Sequence, residues 1–383
     1  CLPIGIAHTQ PTPKTSSTNV QAAPPLPANE IEEFVTAISA IKYYYIHDTS
    51  DKTLFNNAIN GMLTKLDPHS SFMDNDELQQ LNAAVSGKFV GIGVELTIQN
   101  GALKVISPLA DTPADKAGLK TNDLIIKVDN ALVENMTLNE AINKIKGKKG
   151  TPVELTILRK NTEEPLQVSI VRDTINIVTV KSKLLGKHYG YARVTFFQGH
   201  ADKELADAIK SIKKESNNEL YGLVLDLRNN PGGLLDLSAK ITDLFLDKQA
   251  SQLYNDTIVY TKGRIPGSDI MLKAKPNDII PNIPLVVLIN GGSASASEIV
   301  AGALQDYHRA VIMGTRSFGK GSVQTIIPVS SDSAIKLTTA LYYTPAGRAI
   351  QAEGIIPDVY VPEINIEEKN KPFFLSESDF THH

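Results

Sequence analysis

One cysteine, Cys1, is all that the 383 residues contain, so no internal disulfide is available and cysteine usage leaves the redox compartment open. Positive charge is not in excess: 38 Lys and Arg stand against 42 Asp and Glu, for a net charge of −4. With no basic stripe either, nucleic acid is excluded as a partner class. No apolar run approaches the ~20 residues that a membrane-spanning helix needs. What remains, 42% hydrophobic and 21% charged residues, is the composition of a globular chain, and its length suits two or three folded units.

The first residues resemble part of a targeting signal. Cys1-Leu2-Pro3-Ile4-Gly5-Ile6-Ala7 resembles the end of a signal-peptide apolar region, and Gly5-Ile6-Ala7 offers a small-x-small cleavage pattern. Export to a bacterial periplasm is the expectation, with a lipid-anchored Cys1 at the membrane as the alternative. Residues 1–28 are otherwise rich in Pro, Thr, Ser and Ala and read as a flexible leader or signal-peptide remnant.

Order is expected from Asn29, a good N-cap with Glu32 three residues on, as in a capping box. Ile31, Phe34, Val35, Ile38, Ile41 and Tyr45 recur at helical spacing, and Leu54, Ala58, Met62 and Leu66 mark a second helix. Asp67-Pro68-His69-Ser70 is a turn, and a third helix follows over 76–85. Residues 29–86 thus form a helical module, suited to packing on its neighbour or to pairing with another copy as a homo-oligomer.

From Gly87 the period becomes alternating. The run from Val90 to Ile98 reads as one strand, turned by Asn100-Gly101 into a partner over 103–106. A helix-like 113–119, a strand 124–128, a helix 138–146 and strands 153–159 and 166–171 complete residues 87–173. This order, with Ala117-Gly118-Leu119 and Asp123-Leu124-Ile125, resembles a PDZ domain. Phe89-Val90-Gly91-Ile92-Gly93 stands where such domains receive a peptide's C-terminal carboxylate. Glycines let backbone amides converge on an anion, and the adjacent strand edge can pair with an extended peptide. The competing reading of Gly91 and Gly93 is an ordinary twisted hairpin. A dinucleotide fingerprint is excluded, because the third glycine is missing and the segment opens a strand. Arg159, at a strand end, reads either as a coupler of ligand occupancy to the next unit or as a surface charge.

Residues 174–362 alternate strands and helices, which implies a helix-covered sheet with active groups at strand ends. The strand Tyr221 to Leu227 runs into Arg228-Asn229-Asn230-Pro231-Gly232-Gly233. The strand Leu285 to Ile289 runs into Asn290-Gly291-Gly292-Ser293-Ala294-Ser295-Ala296-Ser297-Glu298, where a helix begins. Such a turn aims helix N-terminal amides at developing negative charge and suits a serine nucleophile. Each serine serves equally well as a helix cap, and chemistry alone does not choose among Ser293, Ser295 and Ser297.

A serine needs a base. His308 lies roughly 16 Å along the helix axis from a start at Ser297, out of reach, and nothing flanking His200 recommends it. Lys320, in Phe318-Gly319-Lys320-Gly321, is better placed: the glycines allow close approach, Phe318 and Val323 desolvate the amine, and burial lowers a lysine pKa. A Walker loop is excluded, since Gly321 stands where Ser or Thr must hold magnesium and a strand follows instead of a helix.

The serine turn, Phe318-Gly319-Lys320-Gly321-Ser322-Val323-Gln324 and Asp226-Leu227-Arg228-Asn229-Asn230-Pro231-Gly232-Gly233 together resemble the carboxyl-terminal processing proteases, also called tail-specific proteases, over residues 30–361. The resemblance implies a multidomain α+β and α/β architecture: an N-terminal helical module, then a PDZ domain inserted before an α/β serine-protease core of the crotonase/ClpP-like, tail-specific type. It implies Ser295 as nucleophile, Lys320 as general base and Gln324 as its orienting partner. The amides of Ala296 and of the Gly232-Gly233 loop become the oxyanion hole. No metal and no organic cofactor are implied, and the partners are protein or peptide substrates with accessible C-termini, with an adaptor protein as a further one. The activity implied is endopeptidase cleavage through an acyl-enzyme; the alternative is a catalytically silent PDZ scaffold or a hydrophobic-ligand-binding relative. The tail, residues 363–383, is weakly patterned and its structure is left open.

Overall fold

A computed structural model describes residues 26–362, except Asn100, Ala110, Asn135, Asn161, Glu163, 248–251, Pro276 and Asn277, together with Glu377; for Gln80, Asn82, Ala84 and Asn139 it describes the backbone alone. The signal-like start, most of the expected leader and all of the tail but Glu377 lie outside the described residues. The chain divides into two compact units, Cys1–Ile59 and Asn60–His383.

In the first unit, α1 (Ala28–Tyr44) begins one residue before the expected cap. Pro27, at φ −72°, precedes it and no side chain caps it, so Asn29 already lies within the first turn and the Asn29–Glu32 box does not form. Proline presets the first turn's φ and brings no N–H that needs a partner. The helix buries none of its residues, and Ile31, Phe34, Val35 and Ile41 stay exposed. Phe34 meets Phe55 of α2 (Asp51–Thr64) edge-on, with ring centroids 6.2 Å apart. The division between the units falls within α2.

The second unit continues with β1 (Ser71–Met73), α3 (Asn75–Ser86) and β2 (Lys88–Gly91). The alternating run read as one strand is two. It breaks after Gly91, and β3 (Val94–Gln99) joins a different sheet. Gly93 explains the break: its φ is +77°, and a Cβ there would sit 2.4 Å from Cβ of Thr112, whose hydroxyl donates to the Gly93 carbonyl at 3.0 Å. The PDZ-like sheet is completed by β4 (Ala102–Pro108), β5 (Leu124–Val128), β6 (Ala131–Leu132), β7 (Pro152–Leu158) and β8 (Leu166–Val171). Two helices accompany it, α4 (Pro113–Lys116) and α5 (Leu138–Ile145), the latter started by a Thr137–Glu140 capping box. Leu103, Val105, Ile125, Val153, Leu155 and Ile157 form this unit's own core. The chain leaves through β9 (Asp173–Asn176), which pairs antiparallel with β2 from Lys88↔Asn176 to Gly91↔Asp173. Entry and exit of the PDZ-like unit are therefore the two strands of one ribbon.

The core follows: β10 (Val180–Leu185), β11 (Tyr189–Val194), α6 (Ala201–Glu215), β12 (Gly222–Asp226), α7 (Leu235–Asp243), β13 (Thr257–Gly263), β14 (Met271–Lys273), β15 (Leu285–Ile289), α8 (Ala296–Asp306), β16 (Val311–Gly314), β17 (Ser322–Pro328), β18 (Ala334–Tyr343) and β19 (Val359–Tyr360). One sheet runs β10-β11-β12-β15-β16-β19 and is parallel from β11 onward. A second runs β1-β18-β13-β14, with β17 on β18. Helices α6, α7 and α8 pack together with both sheets over a continuous core that includes Phe197, Leu225, Phe245, Val287, Val300 and Ile312. β12, β15 and β16 end side by side, and the loops after them carry the three motifs singled out above.

Candidate active site

The loop after β12 and the turn after β15 are tied together by two asparagines. Asn290 Oδ1 accepts the N–H groups of Asn229 at 2.9 Å and Gly292 at 3.1 Å, and its Nδ2 donates to Asn229 Oδ1 at 2.9 Å. The Asn230 carbonyl accepts Ala294 N–H at 3.0 Å and Ser297 Oγ at 2.9 Å.

This lacing separates the three serines. Ser293 and Ser297 are fully buried, donating to the carbonyls of Leu227 at 2.8 Å and Asn230 at 2.9 Å. Ser295 alone is half-exposed and lines a cleft of about 550 Å³. It holds φ 53° and ψ −115° at the N-cap of α8. That conformation is strained for a non-glycine residue, by roughly 1–3 kcal/mol, and it lifts the side chain out of the turn.

Glu298 supplies the restraint. Fully buried, its carboxylate accepts Ser295 N–H at 2.8 Å and Lys320 N–H at 2.9 Å on one oxygen, and Ser317 Oγ at 2.6 Å and Gly319 N–H at 2.7 Å on the other. Burial pushes its pKa up to about 7, against these four bonds, which favour the charged form. One carboxylate thus bolts the serine turn to the lysine turn. Sequence reasoning gave Glu298 no role, although the Ser-x-x-Glu spacing of Ser295 and Glu298 is a capping-box signal.

Lys320 lines the same cleft. Its Nζ donates to Gln324 Oε1 at 2.6 Å and Ser322 O at 3.5 Å, and no described hydrogen bond joins it to Ser295 Oγ. Burial lowers its pKa from the ordinary lysine value and Lys336 adds to this, while Glu377, Glu298 and Asp67 oppose it. Tyr342, almost fully buried, donates to the Lys320 carbonyl and lines the cleft beside Ser295; nothing in the sequence marked it.

Of the loop glycines, Gly232 has φ +105° and lies against the nucleophile turn: a Cβ there would be 2.8 Å from Ser295 Cβ and 2.9 Å from Ala296 N. Its own N–H is committed to Asn230 Oδ1 at 2.9 Å. The N–H groups of Gly233 and Ala296 meet no protein acceptor among the described residues, which leaves these two for an anion. Arg228 is bidentate on buried Asp226, at 2.9 and 2.7 Å, and so braces the loop. Leu234, Ile270, Leu272, Ile299 and Val323 give the cleft an apolar wall. Among the described residues no histidine lines it, and no cluster of His, Cys, Asp and Glu has the spacing of a metal site.

In the PDZ-like unit, Phe89, Gly91, Ile92 and Gly93 line a groove of about 310 Å³ whose other walls include Leu96 and, from α5, Ile142 and Ile145. Val90 lies on the ribbon, opposite Thr174. Arg159 is held inside this unit, by Asp123 at 2.8 and 2.7 Å and by the Gly118 carbonyl at 2.8 Å.

Comparison with known proteins agrees with this layout. The profile of peptidase family S41 matches residues 188–361, that of the PDZ domain residues 90–170, and that of the activating protease CtpB N-terminal domain residues 6–77. A carboxy-terminal-processing protease of Bartonella bacilliformis is 46% identical over 357 residues, 92% of this chain and 80% of that protein. The carboxy-terminal processing protease CtpA of Bacillus subtilis is 37% identical over 332 residues, 86% of this chain and 69% of that protein. Among solved structures, a photosystem II D1 C-terminal processing protease matches at 27% identity and a TM-score of 0.51, over 88% of this chain and 94% of that one.

Proposed function

The chain belongs to the carboxy-terminal processing proteases of peptidase family S41, and on that premise we propose that it cleaves protein substrates through Ser295 as nucleophile and Lys320 as general base, selecting them by their free C-terminal tails. One observation carries the reading: of three neighbouring serines only Ser295 lines the cleft, and the partly buried Lys320 lines the same cleft.

In the resting geometry the amine is held by Gln324. Catalysis requires it to meet Ser295 Oγ, a contact of the kind that tightens when substrate is bound. Neutral Lys320 takes the Ser295 proton as Oγ bonds to the scissile carbonyl carbon, and the carbonyl oxygen becomes an anion facing the N–H groups of Gly233 and Ala296. The C–N bond then breaks, and the Lys320 proton passes to the departing amine. That leaves a Ser295 ester, which water hydrolyses with Lys320 again as base. The apolar wall of the cleft suits an apolar residue before the cut. The groove beside Gly91 and Gly93 suits an apolar last residue, added as a strand to β3.

A serine-reactive fluorophosphonate tests this directly. It should label the parent protein at Ser295, and Ser295→Ala should neither label nor cleave an unfolded protein substrate. Labelling elsewhere, or cleavage by Ser295→Ala, would remove the proposal.

A further inference from the structure

Asp67 belongs to the turn before β1, some 250 residues ahead of Lys320 in the chain, yet it sits one side chain away from the partner of the base. Pairing of β1 with β18 brings it there, Ser71 standing opposite Lys336. The carboxylate accepts four hydrogen bonds: His69 N–H at 2.8 Å, Ser70 N–H at 2.9 Å, Ser70 Oγ at 2.6 Å and Thr338 Oγ1 at 3.0 Å. Thr338 N–H returns a bond to Ser70 Oγ at 3.1 Å. Burial works against the charge, but these bonds outweigh it and hold the Asp67 pKa below the ordinary carboxylate value. Asp67 is therefore an acceptor only.

The chain of hydrogen bonds then has one direction. Thr338 has a single hydroxyl proton, and it goes to Asp67. Its oxygen is left to accept, and Gln324 Nε2 donates to it at 3.3 Å. The same nitrogen donates to Ser322 Oγ at 2.9 Å. With Nε2 fixed, Oε1 faces Lys320 Nζ at 2.6 Å. Ser322 cannot enforce this alone, since a free hydroxyl rotates to donate as readily as to accept. A reversed amide would present N–H to the amine.

We propose that Asp67 and Thr338 are positioning residues for the general base: they fix the proton direction of a relay that holds the Gln324 amide with its oxygen toward Lys320. The proposal rests on Lys320 being the base. The charged groups around the Lys320 amine are Glu377, Lys336, Glu298 and Asp67, so the relay carboxylate is one charge among several. Its role is orientation as well as charge.

The test is the pair Thr338→Val and Thr338→Ser, with Asp67→Asn beside them. Valine removes the hydroxyl at nearly constant volume, and serine keeps it. Turnover is counted per active site by fluorophosphonate titration, which discounts unfolded protein. Thr338→Val should lower kcat about tenfold, the worth of one hydrogen bond, with KM unchanged. The acidic limb of its pH–rate profile should move to lower pH, because the ammonium loses an acceptor. Asp67→Asn keeps an amide oxygen for the Thr338 hydroxyl, so it should spare kcat and move the limb to lower pH through loss of charge alone, and Thr338→Ser should behave as the parent. A purely structural role would lower the melting temperature and leave the limb where it was. The proposal is overturned if Thr338→Val keeps the parent's kcat and limb, if Asp67→Asn keeps the parent's limb, or if Thr338→Ser is as impaired as Thr338→Val. Lys320→Ala is run alongside: if it keeps its activity, the Ser-Lys reading fails, whereas a dead Lys320→Ala beside unaffected relay variants sinks the relay alone.

Discussion

At the residue scale, the serine turn separates function from support. Ser293 and Ser297 each satisfy a buried carbonyl, of Leu227 and Asn230. Ser293→Ala and Ser297→Ala should each cost about 1 kcal/mol of stability by removing one of the two hydrogen bonds that carbonyl accepts, while turnover per active site persists. Ser295→Ala should leave the denaturation midpoint in place and abolish turnover. A dead Ser293→Ala beside an active Ser295→Ala would reverse the assignment. Lys320 makes the opposite trade. Its pKa is lowered in the fold, chiefly by burial, so the unfolded chain holds the proton more tightly. Between the folded value and the unfolded one, about 10.4, stability rises with pH, and below that window the full cost of a buried ammonium is present. Lys320→Ala should therefore be inactive yet at least as stable as the parent at pH 7, with the advantage fading toward pH 10. Thermal melts at the two pH values decide it, and a variant less stable at pH 7 would contradict the burial argument.

At the element scale, the PDZ-like groove makes a claim about substrates. Glycine-flanked amides and an apolar floor of Leu96, Ile142 and Ile145 suit a free carboxylate after an apolar residue. A peptide substrate that is amidated, or ends in Asp-Asp, should be cleaved less efficiently than its free, apolar-ended counterpart, and equal kcat/KM would remove this role. Elements were legible in the sequence where one period dominated. The buried strands β12 and β15 stood out because their apolar runs lead into asparagine and glycine, and the helix α8 because helical spacing follows the second of these turns. The ribbon strands β2 and β9 did not. β2 merged with β3 in one alternating run, since the break depends on Thr112 packing against Gly93, a contact across sequence. The three-residue β1 is too short to show a period at all. The site divides the same way. Ser295, Lys320 and Gln324 lie in compact motifs, and the family resemblance assigned them. Glu298 and Asp67 matter through hydrogen bonds to segments 21 and 271 residues away, which no local pattern records.

At the scale of the whole molecule, the ribbon of β2 and β9 has a topological meaning. Gly91 and Asp173 stand opposite one another on paired strands, so the chain leaves the core and returns to it at nearly the same point. The peptidase is in effect a continuous polypeptide with a β-hairpin whose tip has been exchanged for a domain. Excising 92–172 and closing Gly91 to Asp173 with a two-residue Asn-Gly turn should restore a plain hairpin. The shortened protein should melt in one cooperative transition and still react with fluorophosphonate at Ser295. It should also cleave free and amidated peptides alike. Failure to fold would show that the core leans on its insert. Such a joint lets a recognition domain be lost, gained or swapped by genetic insertion at a single hairpin tip, with Ser295, Lys320 and Glu298 left in place, so tail preference and bond cleavage are free to evolve on separate schedules.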